Sequence, residues 1–284
     1  VHMERLQVAF RASVEVSRDA GAVPARGIVV RALRAVVFGW LFPSMPRFRA
    51  MVWLVWFYRA SGLRALARRL GIVRLLGMRD ADDLLPAFSP DFLVPTGQVF
   101  PADASTSDRA SVALFAGCVM STAFGSTSHA TARVLNKAGC DVACPAGQGC
   151  CGALHAHGGD RGGARSLARE VIQAFESGGD APVIVNAAGC GAMMKEYGHL
   201  LADDPAWAGR ARAFSARVQD VSEYLVTRAL PEMGRVSNED VVVAYQDACH
   251  LVHAQRVTSA PRDLIRRIPG VTLRDLPDKA LCCG

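Results

Sequence analysis

The sequence predicts an α/β protein: duplicated Cys-Cys-Gly units with mostly parallel sheets, preceded by an Arg-rich helical segment. Three observations carry this. Beyond residue 110, short apolar runs alternate with helical stretches. The cysteines fall into two units of nearly equal spacing. The first 79 residues contain no cysteine and almost no acid.

Residues 1–79 hold 14 Arg and 3 acidic residues, and from Ala20 to Arg79 there are eleven Arg and no Asp or Glu. Residues 80–284 carry a balance of −5, so the overall +6 belongs to the N-terminal segment and a uniform nucleic-acid surface is not indicated. Apolar clusters such as Met51 to Phe57 are cut by Arg and by Pro43 and Pro46. None approaches the roughly 20 apolar residues of a spanning helix. Two uses of the aromatic residues stay open: packing on the rest of the protein or a partner, and lying on an anionic membrane surface.

Residues 80–110 read as a linker rich in Pro, Asp, Ser and Thr. The first unit is expected over 111–230 and the second, shorter one over 231–284. Buried strands are expected at Ser111–Phe115, Asp141–Pro145, Pro182–Asn186, Val241–Tyr245 and Val271–Asp275. Helices are expected at Ser128–Ala138, Arg161–Phe175, near 221–229 and at Pro261–Ile268. Apolar residues make up 51% of the chain, enough for a real core, which excludes a mainly disordered protein.

Nine Cys are too few for a disulfide-dense secreted scaffold. No secretory pattern opens the sequence, so the thiols are expected to be reduced, in a cytoplasmic setting, with peripheral attachment to the inner face of the cell membrane as an option. In unit one a strand leads to Cys118, then 31 residues, then Cys150-Cys151-Gly152. In unit two a strand leads to Cys249, then 32 residues, then Cys282-Cys283-Gly284. Each lone Cys should end a strand and each Cys-Cys-Gly loop should follow the next one, at the edge where α/β folds place ligands. Cys190, after the third strand, adds a fourth thiolate to unit one. Soft sulfur ligands favour iron–sulfur clusters, zinc or Cu(I). A Cys-Cys pair suits a multi-iron cluster better than one tetrahedral ion, and the following Gly allows close approach or φ > 0.

Other candidates are weaker. Gly147 to Gly152 matches G-x-G-x-x-G with Glu170 beyond it, but cysteines fill its variable positions. Cys140 and Cys144 read as core packing, with extra ligation as the alternative. His155, His157, His250 and His253 flank the thiols and are candidates to donate to sulfur, bind metal or relay protons to a quinone. A thiol–disulfide enzyme acting through Cys150 and Cys151 is disfavoured, because vicinal disulfides are strained.

The two units resemble the cysteine-rich "CCG" domain of heterodisulfide reductase B subunits, anaerobic glycerol-3-phosphate dehydrogenase C subunits and lactate-utilisation proteins. Cys150 to Asp160, Asn186 to His199 and Asp247 to Gln255 resemble the glycolate oxidase iron–sulfur subunit. The likeness covers residues 111–284, more loosely the Arg-rich stretch. It implies an iron–sulfur cluster, of 4Fe-4S type, on Cys118, Cys150, Cys151, Cys190, Cys249, Cys282 and Cys283. It also implies a partner subunit carrying FAD, on which glycolate becomes glyoxylate, and electron flow toward a membrane acceptor, with no catalytic residue in this chain. That family normally opens with C-x2-C-x2-C-x3-C-P runs. None precedes Cys118, Met193 stands where a second Cys is often found, and the second unit stops at Gly284. A fragment with an apparently truncated second unit is therefore expected. The alternative function is a zinc-stapled scaffold that bridges a flavin subunit to the membrane.

Overall fold

The computed structural model describes residues 3–24, 27–85, 90–103 and 109–277. The N-terminal part is a series of helices: α1 (Met3–Asp19), α2 (Ile28–Arg34) continuing as a π-helical turn at Ala35–Leu41, α3 (Met45–Ala60), α4 (Leu63–Arg69), α5 (Ile72–Leu75) and α6 (Arg79–Asp83). The region read as linker holds the end of α6 and a short strand, β1 (Val99–Phe100), which pairs antiparallel with a later strand.

The first unit follows as β2 (Ala110–Phe115), α7 (Cys118–Thr122), α8 (Gly125–Lys137), β3 (Cys140–Ala143), α9 (Ala153–His157), α10 (Arg161–Glu176) and β4 (Val183–Val185). It continues with α11 (Ala188–Lys195), α12 (Tyr197–Leu200), α13 (Ala208–Arg217), β5 (Val218–Asp220) and α14 (Val221–Leu225). The strand order is β1-β3-β2-β4-β5, and every pairing except that of β1 is parallel. The second unit is β6 (Val241–Tyr245), a π-helical turn at His250–Ala254, α15 (Ala260–Arg266) and β7 (Val271–Asp275), with β6 and β7 parallel.

Continuous apolar runs became strands because both faces of the sheet are covered. Along β2, Ala113 and Phe115 enter one core while Val112 and Leu114 enter the other. On β4, Val183 and Val185 face the first and Ile184 the second. Helices α10 and α13 cover the first face through Val171, Ile172, Phe175 and Phe214. Helices α8 and α14 cover the second through Ala132, Leu135, Tyr224 and Leu225. Both predicted strands of the second unit occur at the predicted residues. Helices α11 to α13 and strand β5 were not expected. Their apolar spacing is interrupted by small and charged residues, and they owe their order to packing, as with Tyr197 stacked on Phe214.

Helices α3, α4 and α6 are tied together by one buried carboxylate. Asp82 accepts hydrogen bonds from the Tyr58 hydroxyl (3.2 Å), Arg64 Nε (3.2 Å) and Arg68 Nε (2.5 Å). Its burial raises the pKa, but the guanidinium and hydroxyl donors outweigh this and hold it below the usual carboxylate range. Asp82→Asn is expected to loosen α4–α6, seen as faster limited proteolysis within residues 60–85 with the rest of the chain unaffected.

Candidate functional site

Three adjacent parallel strands end at one edge, and each delivers thiols there. After β2, Gly117 (φ 65°) turns the chain into α7, so Cys118 opens that helix. After β3, the loop Pro145–Gly149 carries Cys150 and Cys151 to the start of α9. After β4, Cys190 sits in the first turn of α11. The predicted convergence of Cys118, Cys150, Cys151 and Cys190 is therefore what the sheet order produces.

The four thiols form a string of neighbours. Cys118 neighbours Cys150 and Cys150 neighbours Cys151 closely enough to couple their titrations, and the Cys151 and Cys190 sulfurs are 3.2 Å apart. Cys118, Cys150 and Cys151 are buried, whereas Cys190 is partly exposed. The Gly152 amide donates to Cys150 Sγ at 3.5 Å. Among the described residues, no group of three or more His, Cys, Asp or Glu could hold one metal ion.

The electrostatics favour one thiolate among protonated neighbours. Hydrogen bonds from Cys118 and Cys151 hold the Cys150 pKa far down, with help from His155 and the Gly152 amide against burial. The same hydrogen bonds, with burial, push Cys118 and Cys151 well above the ordinary thiol value. Four sulfurs this close cannot all ionise without a cation among them.

Several side chains missed by the sequence reading hold this edge in place. Gln148 Oε1 accepts from the Ala116 amide (2.8 Å) and its Nε2 donates to Leu114 O (3.1 Å), pinning the Cys loop to the end of β2. The buried Tyr197 hydroxyl donates to Cys151 O at 2.7 Å. Burial raises the Tyr197 pKa well above normal, and the neighbouring cysteines add to this, so the hydroxyl keeps its proton. A buried tyrosine and a buried glutamine inside cysteine motifs were the available signals.

Gly152 has φ 82°, and a Cβ there would lie 3.1 Å from Ala164 O. The Gly of the motif thus serves a left-handed turn pressed onto α10. Gly152→Ala is expected to cost roughly 1–3 kcal/mol, read as a lower urea midpoint with an unchanged slope.

A lid covers two of the thiols. Met45, Phe48 and Val52 of α3, at i, i+3 and i+7, pack in one cluster with Cys118, Cys150 and Leu167. The two faces of α3 have different surroundings. One side of α3 packs on the thiols, while Trp53, Leu54 and Phe57 remain exposed.

The four histidines are not equivalent. His155 is 2% exposed, its Nε2 lies 3.1 Å from Phe38 O, and its Nδ1 has no hydrogen-bond partner although it neighbours Cys150. His157 packs edge-on against His250, their centroids 5.6 Å apart. Burial lowers the His157 pKa, with further lowering from His250 and Arg11. His253 is exposed. Lys195 pairs with Glu223 at 2.7 Å.

Cys249 ends the segment after β6, as Cys118 does after β2, and the π-helical turn that follows packs on α11, the helix bearing Cys190. Gln255 fixes this contact by donating to Ala188 O at 2.8 Å. Cys282 and Cys283 lie outside the described residues. Cys140 and Cys144 are fully buried in the second core, with Val112, Leu114 and Leu135, apart from the thiol string. Burial pushes Cys144 up to about 11, opposed by Gln148. The Gly147–Gly152 stretch is the thiol loop itself, with both cysteines turned into the protein.

The residues present fit a multi-iron cluster. They offer four thiols along one edge, an amide aimed at sulfur, an orphaned imidazole nitrogen and an apolar lid.

Residues 112–195 and 243–284 match the cysteine-rich domain family, and residues 29–85 match the linker region of the glycolate oxidase iron–sulfur subunit. A probable glycolate oxidase iron–sulfur subunit of Bacillus subtilis (strain 168) is 38% identical over 264 residues, covering 89% of this chain and 57% of that protein. Lactate utilization protein A of Bacillus licheniformis is 32% identical over 175 residues, covering 61% of this chain and 71% of that protein. The glycolate oxidase iron–sulfur subunit of Escherichia coli (strain K12) is 37% identical over 179 residues, 61% of this chain and 42% of that protein. The chain thus spans little more than half the length of the Bacillus subtilis relative. With its paired Cys-Cys-Gly units, its linker helices and these likenesses, the chain belongs to the cysteine-rich family of iron–sulfur subunits that includes those of glycolate oxidase.

Proposed function

We propose that this chain is the electron-transfer part of a flavin-dependent glycolate dehydrogenase. In this reading it takes electrons from an FAD-bearing partner that oxidises glycolate to glyoxylate, and passes them toward a membrane acceptor. The observation that carries the reading is the string Cys118–Cys150–Cys151–Cys190 at the carboxyl edge of β3, β2 and β4. These four residues would hold a cluster of 4Fe-4S type. Once bound, such a cluster supplies one-electron transfer with little rearrangement.

The chain's own residues set the conditions for that chemistry. Met45, Phe48 and Val52 exclude water from the Cys118 and Cys150 sulfurs. The Gly152 amide donates to Cys150 Sγ and the neighbouring His155 ring lowers the Cys150 pKa further, so both favour thiolate charge. Gln148 and Tyr197 fix the loop backbone. No acid–base pair beside a hydroxy-acid pocket emerges among the described residues, and the hydride chemistry is assigned to the flavin partner.

The alternative, a zinc-stapled scaffold, asks for three or four ligands around one ion. The adjacent Cys150 and Cys151 suit the several irons of a cluster better than one tetrahedral ion, which favours iron. Anaerobic reconstitution with iron and sulfide decides between them. A brown protein absorbing near 400 nm, reduced when the flavin subunit and glycolate are added, supports the proposal. A colourless, redox-silent zinc protein defeats it, and so does glycolate turnover by this chain alone.

A further inference from the structure

We propose that the α3–α5 layer docks this protein on an anionic lipid surface, with the cleft between α3 and α5–α6 taking a lipid hydrocarbon chain. An ordinary surface helix turns its apolar stripe inward. On α4 the stripe Leu63, Leu66 and Leu70, at i, i+3 and i+7, is turned outward, with exposures of 44%, 51% and 65%. It continues into α5, where Leu75 is 86% exposed.

Beside this stripe lies a cleft of about 470 Å³. Met51, Leu54 and Val55 of α3 form one wall, and Ile72 and Leu76 form the other. Its polar lining is Tyr58 and Asp82, which are bonded to each other. The cleft is therefore suited to a chain with no hydrogen-bonding groups along its length.

Charge selects the occupant. Arg64 and Arg68 turn inward to Asp82, but Arg69 and Arg74 are exposed and form no ion pair among the described residues. Of the acids on the adjoining α6, Asp82 and Asp83 are paired with Arg64 and Arg68, which leaves exposed Asp80 against Arg69 and Arg74. Exposed leucines interleaved with unpaired arginines match a bilayer boundary, where anionic headgroups overlie hydrocarbon. No single helix among the described residues is long and apolar enough to cross a membrane; α2 with its π-helical turn and α3 reach that length and apolarity only as a pair bent by 114°. The outward leucine stripe and its arginines are what favour lying on the surface. The inference stands on these residues alone and does not depend on iron at the thiols.

The test is flotation of the 284-residue protein with vesicles of phosphatidylcholine, alone or with about one third phosphatidylglycerol. Binding to the anionic vesicles should be at least about tenfold tighter and should weaken as salt rises. Leu66→Glu/Leu70→Glu and Arg69→Glu/Arg74→Glu should each weaken it about tenfold or more, with unchanged thermal unfolding because all four side chains are exposed. Acyl chains brominated near the headgroup should quench tryptophan emission, and Trp53→Phe should remove most of that quenching. Equal binding to both vesicle types, or no effect of either double variant, overturns the proposal. Self-association in lipid-free buffer that the leucine variant abolishes would also overturn it, by giving the face to a second copy.

Discussion

Cys150→Ser and Cys151→Ser are each expected to reduce iron bound after anaerobic reconstitution to background, at least about a tenfold loss. Both residues sit in the middle of the thiol string, each with a sulfur neighbour on either side. A hydroxyl does not ionise in this range and is a poor ligand for iron, so one substitution removes a ligand and also breaks the chain of sulfur contacts. Cys144→Ser is the internal control. Its sulfur lies in the second core beside Gln148, 3.6 Å from Nε2, so serine keeps a partner there. That variant should lose about 1–3 kcal/mol of stability and retain its iron. Equal iron in all three proteins would remove Cys150 and Cys151 from the site.

Phe48→Ala should act differently, on protection rather than ligation. Phe48 is 5% exposed and packs over Cys118 and Cys150. Truncating it leaves a cavity and should lower stability by about 3–5 kcal/mol. It also opens a route for water and oxygen to the sulfurs. Iron content after anaerobic reconstitution should stay close to normal, while absorbance near 400 nm decays several-fold faster in air. Phe48→Leu, which retains most of the volume, should restore most of the lifetime. If both variants decay at the normal rate, α3 is not the lid.

These two expectations differ in how far the sequence foretold them. The roles proposed for Cys118, Cys150, Cys151 and Cys190 rest on strand–Cys spacing, which is local and repeated in the chain. The role of Phe48 depends on a contact across about 70 to 100 residues of sequence, and the α3 apolar pattern alone does not name what it covers.

The sequence by itself determined the α/β class, the positions of β2, β4, β6 and β7, the α8 and α10 helices, and the thiols that strand ends would carry. Those features follow from period, apolar runs and spacing, all set by neighbours a few residues apart. Tertiary structure alone decided that β2 lies between β3 and β4. That order puts three thiol-bearing edges side by side. It also decided that α3 divides its faces between the thiols and solvent, that Gln148 and Tyr197 brace the Cys loop, and that His155 rather than His253 faces Cys150. Each of these depends on which distant surfaces meet as apolar area is buried, and an apolar face binds whatever surface fits it, without a partner written into its own residues.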